Sequence, residues 1–183
     1  MDPSAWTLDP SMGELLVGTE SAGPAARLGH DLTIEMTDWV AELSWVDGRP
    51  TAVQVTIQTA SLSVLRGDGG VKSLSGPEKA IVRSNALKSL DGKRHPTIDY
   101  RSDDIAATED GGYRLEGSLT IHGTTHPRTI EVQATDLGDS WRITCESVVR
   151  QTTFGVTPYS LMLGALKVAD DVTVSFTASR PKD

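Results

Sequence analysis

Between Tyr113 and Ala134 the chain alternates apolar and polar side chains with a period of two, and the phase of the alternation reverses once. Tyr113, Leu115, Leu119 and Ile121 take odd positions, with Arg114, Glu116, Thr120 and His122 between them. Past the break, Ile130, Val132 and Ala134 hold even positions, and Thr129, Glu131 and Gln133 lie between. Successive side chains leave a pleated strand on opposite sides, so this spacing predicts strands with one buried face. A slip of one residue would turn the whole apolar set to solvent, which makes the pattern a strong constraint on register. Gly123 and Pro127 punctuate the break, and the sequence predicts a hairpin whose tip runs from Gly123 to Pro127.

The same short alternating segments recur along the chain, separated by turn signals, which predicts an all-β barrel or sandwich. "ELLVGTE" (residues 14–20) is followed by "SAGPAARLG", a small-residue insert with room for a short helix. Leu32, Ile34 and Met36 alternate in one strand and Trp39, Ala41, Leu43 and Trp45 in the next, so the phase slips near Asp38, where a bend, bulge or turn is expected. Asp47-Gly48 is a tight-turn signal. A second slip separates Val53, Val55 and Ile57 from Ala60, Leu62 and Val64. Further strands are expected in "TIDYRSDDI", "WRITCESVVRQTTF" and "DDVTVSFTA". One helix is expected over residues 75–92: Ser75 and Glu78 make a capping box, Pro77 suits a first turn, and Gly92 is the expected stop. Its apolar stripe is Val82, Ala86, Leu87 and Leu90. "TPYSLMLGALKVAD" (157–170) breaks the scheme, because a loop rich in oil needs a surface to cover. It either packs as core or closes over an apolar cavity.

At 183 residues the chain suits a single domain, 1–183, with a sizeable core. Lys and Arg total 17 against 25 Asp and Glu, a formal net charge of −8, which argues against a nucleic-acid partner and against anionic membrane surfaces. No run approaches the ~18 apolar residues of a membrane span. The start lacks a basic and apolar leader, so the expected location is cytoplasmic, or secreted or periplasmic if a leader has been removed. Cys145 is the single cysteine; it excludes an internal disulfide and is expected as a small buried hydrophobe.

His122 and His126 stand four apart, a spacing that invites a shared metal ion. The break in the hairpin removes the common face that such a pair needs, so no metal site is expected. His30, beside Asp31 and near Glu35, is the one residue on which a small enzyme acting on an apolar substrate would rest, as acid or base. No HExxH, CxxC, GxSxG or P-loop pattern occurs. Arg27, Arg94 and Arg128 would hold an anionic head group if they gather at one rim.

Taken in order, "WTLDPSMGELLV", "VQVTIQTASLSV", "VRSNALKSLDGKRHPTIDYRSDDI", "LEGSLTIHGTTHPRTIEV" and "RQTTFGV" resemble the successive motifs of the YceI-like family over nearly the whole chain. The insert at "SAGPAARLGHD" and the long stretch "RGDGGVKSLSGPEKAIVRS" depart from its pattern. The resemblance implies an up-and-down antiparallel barrel, lipocalin-like, of about eight strands, with the helix outside or capping it. It also implies a carrier or store for a long apolar molecule, an isoprenoid or quinone-like lipid, with no other cofactor, and a homodimer. The expected lining takes Val17, His30, Trp39, Ile57, Leu62 and Tyr100 from the first part of the chain. Phe154, Tyr159, Leu161, Met162, Leu163 and Leu166 would complete it, the last four as a lid.

Overall fold

The computed structural model describes residues 4–182. Its strands are β1 (Ser4–Leu8), β2 (Gly13–Thr19), β3 (Ser21–Ala22), β4 (His30–Met36), β5 (Trp39–Val46), β6 (Arg49–Gln58) and β7 (Leu62–Gly69). The helix α1 (Gly76–Ser89) follows. Then come β8 (Thr97–Ala107), β9 (Gly112–Ile121), β10 (Thr124–Asp136), β11 (Ser140–Arg150), β12 (Ser160–Leu161), β13 (Leu166–Val168) and β14 (Asp171–Pro181). Eleven strands form one curled, wholly antiparallel sheet in the order β1-β5-β6-β8-β9-β10-β11-β14-β2-β4-β7; β12, β13 and β3 make a separate small sheet.

The strand count exceeds the expected eight because long extended segments break where the sheet must turn a corner. Residues 30–46 pair with residues 49–69 as one long hairpin, and both arms bend at the same level. Met36 lies opposite Leu62 and Trp39 opposite Ile57. Between these pairs the Thr37 amide donates to Ser61 O (3.3 Å) and the Gln58 amide to Asp38 O (2.9 Å). A 3-10 turn at Thr59–Ser61 absorbs the second phase slip. The two ends of the sheet are thereby joined through the chain itself, and the result is a half-barrel of lipocalin-like form. Register shifts at Thr33/Ile34, Ser44/Trp45 and Ser102/Asp104 add curvature.

The short helical insert is a 3-10 turn, Ala26–Leu28. The capping box of α1 forms as the sequence predicts: Ser75 Oγ accepts from the Glu78 amide (3.4 Å), and the Ser75 amide donates to Glu78 Oε2 (2.7 Å). Those hydrogen bonds, with Lys72 beside them, hold the Glu78 carboxyl down at about 2. The helix stops one residue earlier than expected. Asp91, not Gly92, takes the left-handed conformation (φ 46°), which Asp tolerates better than most side chains. Arg83 pins the helix to the bent corner through Leu62 O (2.7 Å) and Ala60 O (2.6 Å). Val82, Ala86, Leu87 and Leu90 pack down onto the barrel core.

The β9–β10 tip is also shorter than expected. His122 and Gly123 alone make the turn (φ 54° and 73°), Thr124 pairs with Ile121, and Pro127 lies within β10 opposite Ser118. A proline survives there because β10 pairs with β11 only from Gln133 to Asp136; at Pro127 the strand is in effect an edge, where no N–H is required.

Candidate ligand cavity

The inward faces of the curled sheet enclose a cavity of about 990 Å³. It runs from the Asp47-Gly48 hairpin end, where Trp6, Trp45, Pro50 and Trp141 line it, to the end beneath α1 and the 157–168 segment. Two buried clusters flank it: one around Leu8, Ile34, Met36 and Trp39, the other around Tyr100, Leu115, Leu119 and Phe154. The lining is overwhelmingly apolar. Among the described residues its basic side chains are His30, Arg128 and Lys167, and no Asp or Glu contributes to it.

Of the residues expected to line such a cavity, Val17, His30, Ile57, Leu62, Tyr100, Phe154, Tyr159, Leu161 and Leu166 do so, whereas Trp39, Met162 and Leu163 do not. Trp39 is 1% exposed and sits edge-on behind Phe176, ring centres 5.1 Å apart; it is core beside the corner rather than wall. Met162 and Leu163 lie in a 3-10 turn at left-handed φ values (53° and 56°), and the second is fully exposed. The loop therefore covers the cavity with Tyr159, Leu161 and Leu166 and turns its tip to solvent.

The three arginines do not gather on the cavity. Arg27 is exposed on the Ala26–Leu28 turn, and Arg94 is an exposed partner of Asp91 (3.6 Å). Arg128 lies on the inner face of β10 and bridges the stretch where β10 and β11 do not pair, donating to Ser147 Oγ and Val148 O. Its Nε is buried without a partner among the described residues. Tyr100 Oη lies 3.2 Å from both Leu115 O and Arg128 O, and burial pushes its pKa up to about 12. Burial likewise raises the Cys145 thiol to about 11, so this lining residue stays a protonated, weakly nucleophilic group.

His30 is held elsewhere than an acid–base dyad requires. Its Nε2 lies 2.7 Å from Lys72 O, and the Asp31 carboxylate accepts from the Ser21 amide (2.7 Å). His126 faces inward, edge-on to Phe154 at 5.3 Å, while His122 stands at the tip beside His95; the spaced pair is split. The sequence alternation marked Trp45, Trp141 and Phe176 as apolar strand positions but did not assign them, or Trp6, to the lining, and it expected Arg128 at a rim rather than in the wall. Alternation with Ile143 and Cys145 was the available signal for Trp141.

A YceI-like domain is matched over residues 6–179. The fold is similar to the crystal structure of Burkholderia cenocepacia BcnA, with TM-score 0.71 and 16% identity over 94% of this chain and 99% of that one. It is also similar to the Campylobacter jejuni YCEI protein, with TM-score 0.61 and 12% identity over 82% and 84% of the two chains. A mutant of the Campylobacter protein crystallised with a monobromobimane guest gives TM-score 0.62 at 11% identity, with the same coverage. No curated protein sequence matches this chain.

Proposed function

This chain belongs to the YceI-like domain family, and we propose that it binds a long apolar small molecule, an isoprenoid or quinone-like lipid, inside its barrel. The observation that carries this reading is the cavity of about 990 Å³ with an almost wholly apolar wall, at the upper end of the range for small-molecule sites. Such a void, left empty, would forfeit dispersion contacts along its whole lining, and an apolar guest restores them.

The wall also selects the guest's polar end. Among the described residues no carboxylate lines the cavity, whereas Arg128 presents a guanidinium there with an unpartnered Nε. The bound molecule accordingly carries a neutral or anionic head, set against Arg128, and its tail runs toward the Trp6 and Trp45 end. A cationic amphiphile finds no counter-charge on the wall among the described residues.

The test is mass spectrometry of an organic-solvent extract of the purified, folded protein. A stoichiometric long-chain lipid is the expected result. An extract empty of lipid, together with no uptake of an added polyprenyl alcohol or quinone, would sink the proposal.

A further inference from the structure

The turn that ends α1 and the tip of the β9–β10 hairpin meet away from the cavity, and we propose that Asp91, His95 and His122 there form a binding site for a divalent transition-metal ion of the zinc class. One ligand atom from each of the three side chains lies within 4.8 Å of the others, and all three residues are half-buried. None of them lines the cavity. The expectation of no metal weighed His122 with His126 and His30; the folded chain gives His122 different neighbours.

The backbone fixes this convergence from both sides. Asp91 O accepts from the amides of Arg94 (2.9 Å) and His95 (3.0 Å), while Thr59 Oγ1 donates to His95 O (2.9 Å). Across from them, His122 is held by a two-residue turn. That turn does not itself call for an imidazole. Asp47-Gly48 makes the same geometry (φ 51° and 73°) with residues such turns prefer, whereas His122 is far from the usual choice at φ 54°. Gly123 serves the site a second way: a Cβ there would stand 2.6 Å from His95 Cε1, so glycine leaves room for the ring over the tip. The two imidazoles lie 4.9 Å apart, tilted by 57°, and neither has a hydrogen-bond partner among the described residues.

Two imidazole nitrogens and one carboxylate oxygen are a donor set that zinc accepts, with the fourth position left to water. Ligand atoms about 2.0–2.2 Å from an ion lie closer together than 4.8 Å, so the side chains must draw in by roughly an ångström. Rotation of half-buried side chains supplies that. Among the described residues, the competitor for the Asp91 carboxylate is Arg94, at 3.6 Å from Oδ2 and 80% exposed, a surface pair of little strength. Once bound, the ion would staple the end of α1 to the hairpin.

The full-length chain, stripped with a chelator, is titrated with zinc sulfate by calorimetry and its melting followed with and without zinc. One zinc per chain at micromolar concentration and a higher Tm are expected. Asp91→Asn and His122→Asn keep residues that tolerate positive φ, and Asn-Gly is a favoured tip, so both variants fold; their zinc-free Tm verifies it. Each should weaken zinc binding at least about tenfold, and His126→Asn should not. Absence of binding in the wild type, or unchanged affinity in both ligand variants, overturns the site.

Discussion

Arg128 carries two duties at once, and they separate under mutation. Its guanidinium closes the unpaired stretch between β10 and β11 through Ser147 and Val148, and it is also a cation on an apolar wall. Replacing it with Met keeps the length and removes the charge. Charge-assisted hydrogen bonds contribute about 1.5–3 kcal/mol, so Arg128→Met should lower affinity for a long-chain carboxylate by at least about tenfold. Affinity for the alcohol of equal length should change little. Equilibrium binding of the two lipids to both proteins checks this, and equal losses would show that Arg128 acts on the wall's shape alone. The sequence marked Arg128 as one of three cations for a rim, but the inward position of residue 128 follows from the phase of Ile130 and Val132, two and four residues on.

At the scale of elements, the 157–168 segment is where pattern and placement part. Its apolar residues stand side by side in the sequence, yet β12 and β13 turn Leu161 and Leu166 onto the cavity while the 3-10 turn between them sends Met162 and Leu163 outward. Leu163→Ser should therefore leave both lipid binding and lipid-free stability within about 0.5 kcal/mol of the parent. Leu166→Ser puts a hydroxyl on the wall and should weaken lipid retention clearly. Melting of the lipid-free proteins and retention of a fluorescent polyene lipid measure the two effects; a Leu163→Ser variant that loses lipid would restore the tip to the lid. No sequence pattern distinguished these neighbours: Met162 and Leu163 take left-handed φ values that their residue types do not call for, and β13 pairs with β3, distant in the chain. The helix was more legible: its cap is a local hydrogen-bond device between Ser75 and Glu78, written in residues three apart.

For the whole molecule, the cavity sets how stability and occupancy are coupled. A lipid that binds only the folded barrel stabilises it by about 2.7 kcal/mol at a hundred times its Kd. For a chain of this size that corresponds to a rise in Tm of roughly 5–10 °C. Calorimetric scans with increasing polyprenyl lipid should show this climb, and a Tm independent of lipid would mean that the barrel does not take it. Strand faces, the Asp47-Gly48 turn, the helix and its cap, and the bend near Asp38 were all determined by the sequence alone, since each depends on side chains a few residues apart. The number of ladder strands, the hollow between the sheet faces, the contacts of Arg128 with Ser147 and Val148, and the meeting of His95 with His122 were decided only by tertiary structure. Curling brings together residues far apart in the chain, and whether their side chains fill the space or leave it open depends on curvature, which a period of two does not encode.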